Sequence, residues 1–399
     1  MKNLNHLLLF TAIALFAACS SNHGEDGRKE APEDIVEPDM AETTLLIYMP
    51  YTGPANDLTD ELQANLTQIR QVIRANKGMG NDKVIAFISK NEKTSHLIQY
   101  HYSHLRDKTV SDTLMTYDNT QLDFTSSSII KEIATRAKTA APAKEYAMII
   151  GCHAMGWVKK SGLNGIATRL FGGNASRYQM ENAELPKGLS DAGIGKLKFL
   201  LFDDCYMANI ESAYEMRSCT HKFIGSTCEV MSAGLPYQDM FKYLLGTPDY
   251  EKAIQAFHNF YSTSSNPYGT LSLIDCDKLD AMAAVMKKVN ATTPALTASE
   301  VTKLQRYDNF RNAVFFDLGD YLSRRCVSNE ALLAEAQAAL EQLVPVKVNT
   351  PNYVTWDSST GTNTILPITT YSGISCSDPS VNAAIAADKQ LTDWWIATH

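Results

Sequence analysis

Residues 196–216 read KLKFLLFDDCYMANIESAYEM: an apolar run climbs to two aspartates, meets Cys205 and passes at once into a helical pattern. Leu200, Leu201 and Phe202 are too uniformly apolar for a strand with one wet face, so both faces of this strand require cover. YAMIIGC (146–152) is a run of the same kind and ends beside His153. TTLLIYMP (43–50), KVIAFIS (83–89) and KFIGSTC (222–228) repeat the pattern. Helical spacing fills the gaps between them, from about Asn56 to Ala75 through Leu58, Leu62, Leu66, Ile69, Val72 and Ile73, and again across SSIIKEIATRAKTA (127–140). Buried strands alternating with helices specify an α/β fold, a mostly parallel sheet with helices on both faces.

The remaining segments decorate that plan. LIQYHYSH (97–104) and TLMTY (113–117) alternate and read as a more exposed hairpin, so His96, His101 and His104 are taken as surface residues and not as metal ligands. Residues 161–188 are rich in Gly, Asn and Ser and read as a long mobile loop. Beyond about 240 the pattern is mainly helical, with a strand at TLSLIDC (270–276), a polar Thr-rich region (347–372) and a final helix over NAAIAADKQLTDWWIATH (382–399).

Composition narrows the function. The chain has 399 residues, 20% charged, with net charge −8 and no strong basic block, which disfavours a nucleic-acid partner. MKNLNHLLLFTAIALFAACSS opens with Lys2, an apolar stretch and small residues, the arrangement of a secretory signal. Leu15-Phe16-Ala17-Ala18-Cys19 resembles a bacterial lipobox, so residues 1–18 are expected to be a lipoprotein signal peptide with lipid on Cys19. Residues 19–42 are acidic and poor in apolar side chains, a flexible tether. The expected location is the bacterial cell envelope, the outer membrane by preference, with the lipid as the membrane partner. Eight cysteines minus Cys19 leave seven, an odd number, so at least one stays out of any intrachain disulfide. The sequence holds no CxxC pair, which removes support for a zinc site of that type.

In an open α/β sheet, ligands sit beyond the carboxyl ends of the strands. Two such ends carry reactive groups, His153 after one run and Cys205 after the other. A thiol at a strand end can serve as nucleophile with imidazole as its proton partner, and the amides of Ala154 and Cys205 can stabilise an oxyanion. A helix starting near Met207 would aim its positive end at the sulfur. The quiet alternative for any single cysteine is core packing, which suits Cys152, Cys219, Cys228, Cys276 and Cys326.

The pair of blocks points to a family. Gly151-Cys152-His153-Ala154-Met155-Gly156-Trp157 resembles the H-G-x-G-W block of clostripain-like cysteine peptidases, and Phe202-Asp203-Asp204-Cys205-Tyr206-Met207 resembles their F-D-x-C-x-M block. The likeness runs over roughly residues 43–399, with 43–245 as the caspase-like catalytic core and 246–399 as the C-terminal part of the clostripain-like region, an α+β extension. It implies a caspase-like α/β/α sandwich and a Cys205–His153 dyad that cleaves peptides or proteins. It also implies that Asp203 lines a pocket for Arg or Lys before the cleaved bond, and that some members cut their own loop, where Lys159, Lys160, Arg169 and Arg177 lie here. Some relatives use calcium, but no Asp-x-Asp-x-Asp-Gly loop occurs here, so no cofactor is expected. Three positions depart from the pattern: Ala154 replaces Gly, Leu235 replaces Trp, and Thr227-Cys228-Glu229 is less acidic, leaving Glu229 to reinforce the pocket. These departures motivate a rival reading, an inactive relative acting as a binding or scaffold lipoprotein.

Overall fold

A computed structural model of the chain describes residues 40–55, 57–158, 171–263, 268–357 and 360–399. The lipobox with Cys19, nearly all of the tether, and the loop residues Lys159, Lys160 and Arg169 lie outside the described residues. Those described belong to one compact unit, Pro38–His399.

Nine strands form the central sheet: β1 Ala41–Met49, β2 Lys83–Ser89, β3 Thr94–Ser103, β4 Lys108–Asp118, β5 Ala143–Gly151, β6 Leu200–Asp203, β7 Lys222–Gly225, β8 Thr270–Asp275 and β9 Val346–Asn349. Their spatial order is β9-β8-β7-β6-β5-β1-β2-β3-β4. The middle five, β7-β6-β5-β1-β2, are parallel, and antiparallel pairs extend both edges. The caspase-like sandwich expected from the sequence is therefore the observed fold, and β8 and β9 bring the C-terminal half of the chain into the same sheet.

Strand periodicity explains why the apolar runs are continuous. Leu46, Tyr48, Met148, Ile150, Leu200 and Phe202 enter one core, while Leu45, Ile47, Met49, Ala147, Ile149 and Leu201 enter the other. Helix α1 (Thr59–Ala75) covers the second face with Leu62, Leu66, Ile69, Val72 and Ile73. Helix α2 (Ser127–Ala140) covers the first with Ile129, Ile130, Ile133 and Ala137, joined by Leu185 and Leu189 of α3 (Glu184–Asp191). Each fully buried Leu or Ile contributes roughly 1.5–3 kcal/mol, which is the main reason the layers hold.

Several boundaries differ from the sequence reading. β1 starts at Ala41, inside the expected tether, because Ala41 and Thr43 pair with Ala143 and Glu145 of β5. From Phe171 the expected long loop is structured, through a short strand pairing, a turn at Ser176–Tyr178 and α3. Arg177 sits in that turn, ion-paired with Glu92 and lying over the Tyr178 ring. The final helix is broken: Ala386–Gln390 stops, and Thr392 caps a new helix Asp393–Thr398 by accepting the Trp395 N–H. The exposed hairpin is β3–β4, where His96 meets Thr116 and His101 pairs with Asp112.

Candidate active site

Strands β5 and β6 lie side by side, and Gly151 is in register with Asp203. The same sequence offset separates His153 from Cys205, so the two reactive residues leave adjacent strand tips together. A buried carboxylate ties these tips. Asp204 is 1% exposed, and its Oδ1 accepts the Cys152 N–H at 2.6 Å. Oδ2 has no hydrogen-bond partner, and burial, then the neighbouring Asp203 charge, raises the Asp204 pKa well above the usual carboxylate value. Cys152 is buried, and its Sγ accepts the Gly172 N–H at 3.1 Å, a packing role. Replacing Asp204 with alanine should destabilise the fold by roughly 1–3 kcal/mol by orphaning the Cys152 N–H. Asp204→Asn keeps an acceptor and should lose less than half of that. Denaturant unfolding of both variants at one pH checks the order.

Cys205 sits on a strained turn. Tyr206 adopts φ 60°, the left-handed region that a bulky residue avoids unless its surroundings enforce it. Here they do. Its N–H donates to the Cys228 carbonyl at 3.0 Å, and its ring stacks on Phe315 at 4.8 Å. Its hydroxyl donates to Glu229 at 2.8 Å, and Asn209 Nδ2 donates to its carbonyl at 2.6 Å. The helix expected near Met207 begins only at Ile210, capped by Asn209, because the carbonyls that an earlier start would use are taken: Tyr206 accepts from Asn209 Nδ2, Met207 from the Asn209 N–H and Ala208 from the Ser375 N–H. The helix end is therefore displaced by three residues from the expected start and lies five residues beyond Cys205.

Cys205 is half-buried beside a hydrophobic cluster, and its sulfur hydrogen-bonds Val230. It donates to the Val230 carbonyl at 3.5 Å and accepts the Val230 N–H at 3.4 Å. Burial, followed by the Glu229 charge, pushes its pKa well above the ordinary thiol value, so the sulfur rests protonated. All seven described cysteines are free thiols, so Cys205 is not locked in a cystine. Ala154 pairs with Phe171 in a short antiparallel ladder beside His153–Gly172. Lys77, Asp107 and Tyr206 are the positive-φ non-glycine residues among those described, so the Ala154 side chain carries no left-handed strain.

Both tips open into a cavity of about 600 Å³. Its lining includes His153, Ala154, Asp203, Cys205 and Glu229, and the N-terminal turns of α1 add Glu61, Leu62 and Asn65. Asp203 is 6% exposed, accepting the Leu235 N–H at 2.9 Å and the Tyr237 hydroxyl at 3.0 Å. Burial raises its pKa to about 6. Gly234, at φ +70°, lets the backbone approach this carboxylate, since a Cβ there would lie 2.7 Å from Asp203 Oδ2. Both aspartates line the cavity but hold different parts of it: Asp204 clamps the strand tips, and Asp203 holds the Leu235 amide and the Tyr237 hydroxyl. Glu229 Oε1 accepts from Tyr206, from Thr355 Oγ1 at 2.6 Å and from the Trp356 N–H at 3.0 Å. This oxygen anchors a ribbon, Asn352–Asp357 paired with Thr362–Pro367, that the sequence reading left as a polar region. The ribbon and its neighbour loop add Phe310, Trp356 and Asn363 to the cavity, residues that no motif singled out.

The clostripain family profile matches residues 59–349, most of the chain and both strand tips. The chain belongs to the clostripain family. Among solved structures, a secreted cysteine protease from Bacteroides thetaiotaomicron, "iotapain", is 36% identical with TM-score 0.82, covering 91% of this chain and 100% of its own. A clostripain from the same species, in complex with the peptide inhibitor BTN-VLTK-AOMK, is 41% identical with TM-score 0.54, covering 57% of this chain and 99% of its own. An inactive zymogen from Parabacteroides distasonis, at 24% identity and TM-score 0.78, shares the fold over 91% of this chain and 99% of its own. No curated protein sequence matches. This clostripain-family chain is a cysteine peptidase, and its substrates are peptides or proteins.

Proposed function

We propose that this peptidase works through a Cys205–His153 dyad and cleaves after Lys or Arg. In the attack, the Cys205 sulfur adds to the scissile carbonyl carbon while its proton passes to His153. The amides of Ala154 and Cys205 receive the oxyanion. His153 then gives that proton to the leaving amine, and water hydrolyses the thioester to release the acid and restore the thiol. The observation that carries this reading is the meeting of both side chains in one cavity whose wall includes the Asp203 carboxylate. A carboxylate is the natural partner of a guanidinium or ammonium. The related clostripain held by a VLTK inhibitor agrees with a basic residue at that position.

A lysine-ended acyloxymethyl ketone peptide should alkylate Cys205, located by peptide mapping. Alkylation of another cysteine, or none in an enzyme that hydrolyses lysine peptides, would remove Cys205 from the mechanism. The envelope reading is tested apart from catalysis. Full-length protein expressed in a Gram-negative host should partition into detergent and carry a fatty acyl group that Cys19→Ser abolishes; an unlipidated wild type would remove the anchor.

A further inference from the structure

We propose that Trp356 and Phe310 form a second side-chain subsite, so that the preferred substrate carries an apolar residue close to its basic one. The proposal rests on the Cys205–Asp203 reading above and names a specificity determinant beyond it.

The loop after β7 orders the cleft. Glu229 holds the Trp356 backbone, Val230 touches the Cys205 sulfur, and Gly234 abuts Asp203. This one segment therefore touches the ribbon, the sulfur and the Asp203 carboxylate, and all three line the same cavity. A substrate whose basic side chain reaches Asp203, with its scissile carbonyl at Cys205, shares that cavity with the ribbon and brings its neighbouring residues within reach of it.

What it meets there is apolar and open. Trp356 is 53% exposed although it lines the cavity, and the half-buried Phe310 lines it too. Its place on the ribbon explains this exposure. Tyr353, Val354 and Thr355 are buried, so both faces are covered up to Thr355, which bonds Glu229, and exposure begins at Trp356, where the strand leaves the core. Asn363 is the cross-strand partner of Trp356, and Ile365, 52% exposed, is its diagonal neighbour. An indole left half in water beside a nucleophile gains by covering, and a bound aliphatic or aromatic side chain supplies that cover. The backbone N–H of Trp356 is already committed to Glu229, so the ring is presented from a fixed strand. Phe310 is held from behind by the Tyr206 ring at 5.6 Å, which links the subsite to the nucleophile turn.

Internally quenched peptides with one fixed lysine before the cleaved bond test this, each flanking position being changed in turn from serine to leucine or phenylalanine. Wild type should prefer the apolar residue at one flanking position by about 10- to 30-fold in kcat/KM, the range one apolar pocket contact supplies. In Trp356→Ala that ratio should fall to about threefold or less, chiefly through KM, and Trp356→Phe should restore most of it. The ratio is internal to each variant, so partial loss of folding does not confound it; should Trp356→Ala be inactive, Trp356→Gln gives the same comparison. Lysine-dependent cleavage without any flanking preference, or a preference that survives loss of the indole, overturns the subsite and leaves the dyad standing. Cleavage indifferent to the lysine overturns the underlying reading of Asp203 instead.

Discussion

Cys205→Ala should abolish hydrolysis of a lysine peptide, lowering kcat by about 10⁴-fold or more, the scale seen when a covalent nucleophile is removed. The substitution leaves the site otherwise intact. The turn is held by Tyr206, through Cys228, Glu229 and Phe315, and by Asn209. The hydrogen bonds of the sulfur, both to Val230, are long. Stability should therefore change by no more than about 1 kcal/mol, as for other substitutions of partly exposed residues. Steady-state rates together with a thermal melt separate lost chemistry from lost structure. His153→Ala should approach the same residual rate, and the double variant should be little worse than either single one, because the two groups act as a unit. If Cys205→Ala retained a tenth of the activity, the nucleophile would be elsewhere. Cys152 is a poor substitute, since it is buried and its pKa is raised well above the ordinary thiol value, mainly by burial.

Asp203→Asn should lower kcat/KM for lysine peptides by about 10²- to 10³-fold while sparing any neutral substrate, the loss expected when one member of a desolvated charge pair is removed. It should also change the pH profile. With a pKa raised to about 6, Asp203 is neutral below that pH and charged above it. A basic side chain binds the charged form, so kcat/KM for lysine peptides should rise through about pH 6 and level off, and the variant should lack this limb. The stability trend runs the opposite way. Because burial raises the folded pKa above the unfolded carboxylate value of about 3.9, the protonated form favours the fold. That contribution is fully present below about pH 4 and is lost as pH rises through about 6. Asp203→Asn should therefore gain stability relative to wild type between those limits. Parallel activity and unfolding titrations check both signs, and a lysine profile flat through pH 6 in wild type would detach Asp203 from specificity.

How far the sequence reaches is clearest in the two aspartates. FDDC was legible as a strand end with a reactive residue, because a run buried on both faces has few ways to terminate and the offset to His153 suits a neighbouring strand. The assignment of Asp203 to the specificity pocket comes from family resemblance and not from any local signal, since both aspartates line the cavity. The clamp from Asp204 to Cys152 joins residues 52 apart in sequence and leaves no trace in either block alone. Glu229 shows the same limit: the sequence suggested pocket reinforcement, whereas the fold engages one of its oxygens with the ribbon. The helix after Cys205 starts later than the sequence suggests because the Ala208 carbonyl accepts the Ser375 N–H, a long-range competitor for the helix bond.

Alone, the chain's pattern of apolar runs determined a parallel sheet with helices on both faces and put Cys205 and His153 at strand ends, since period-2 burial and strand termination are local properties. Tertiary structure decided the rest: the strained Tyr206, the burial and the Glu229 charge that keep the thiol protonated, and a cleft wall from residues 310, 356 and 363. Those features arise where segments distant in sequence meet, and such contacts are set by the packing of the whole sheet.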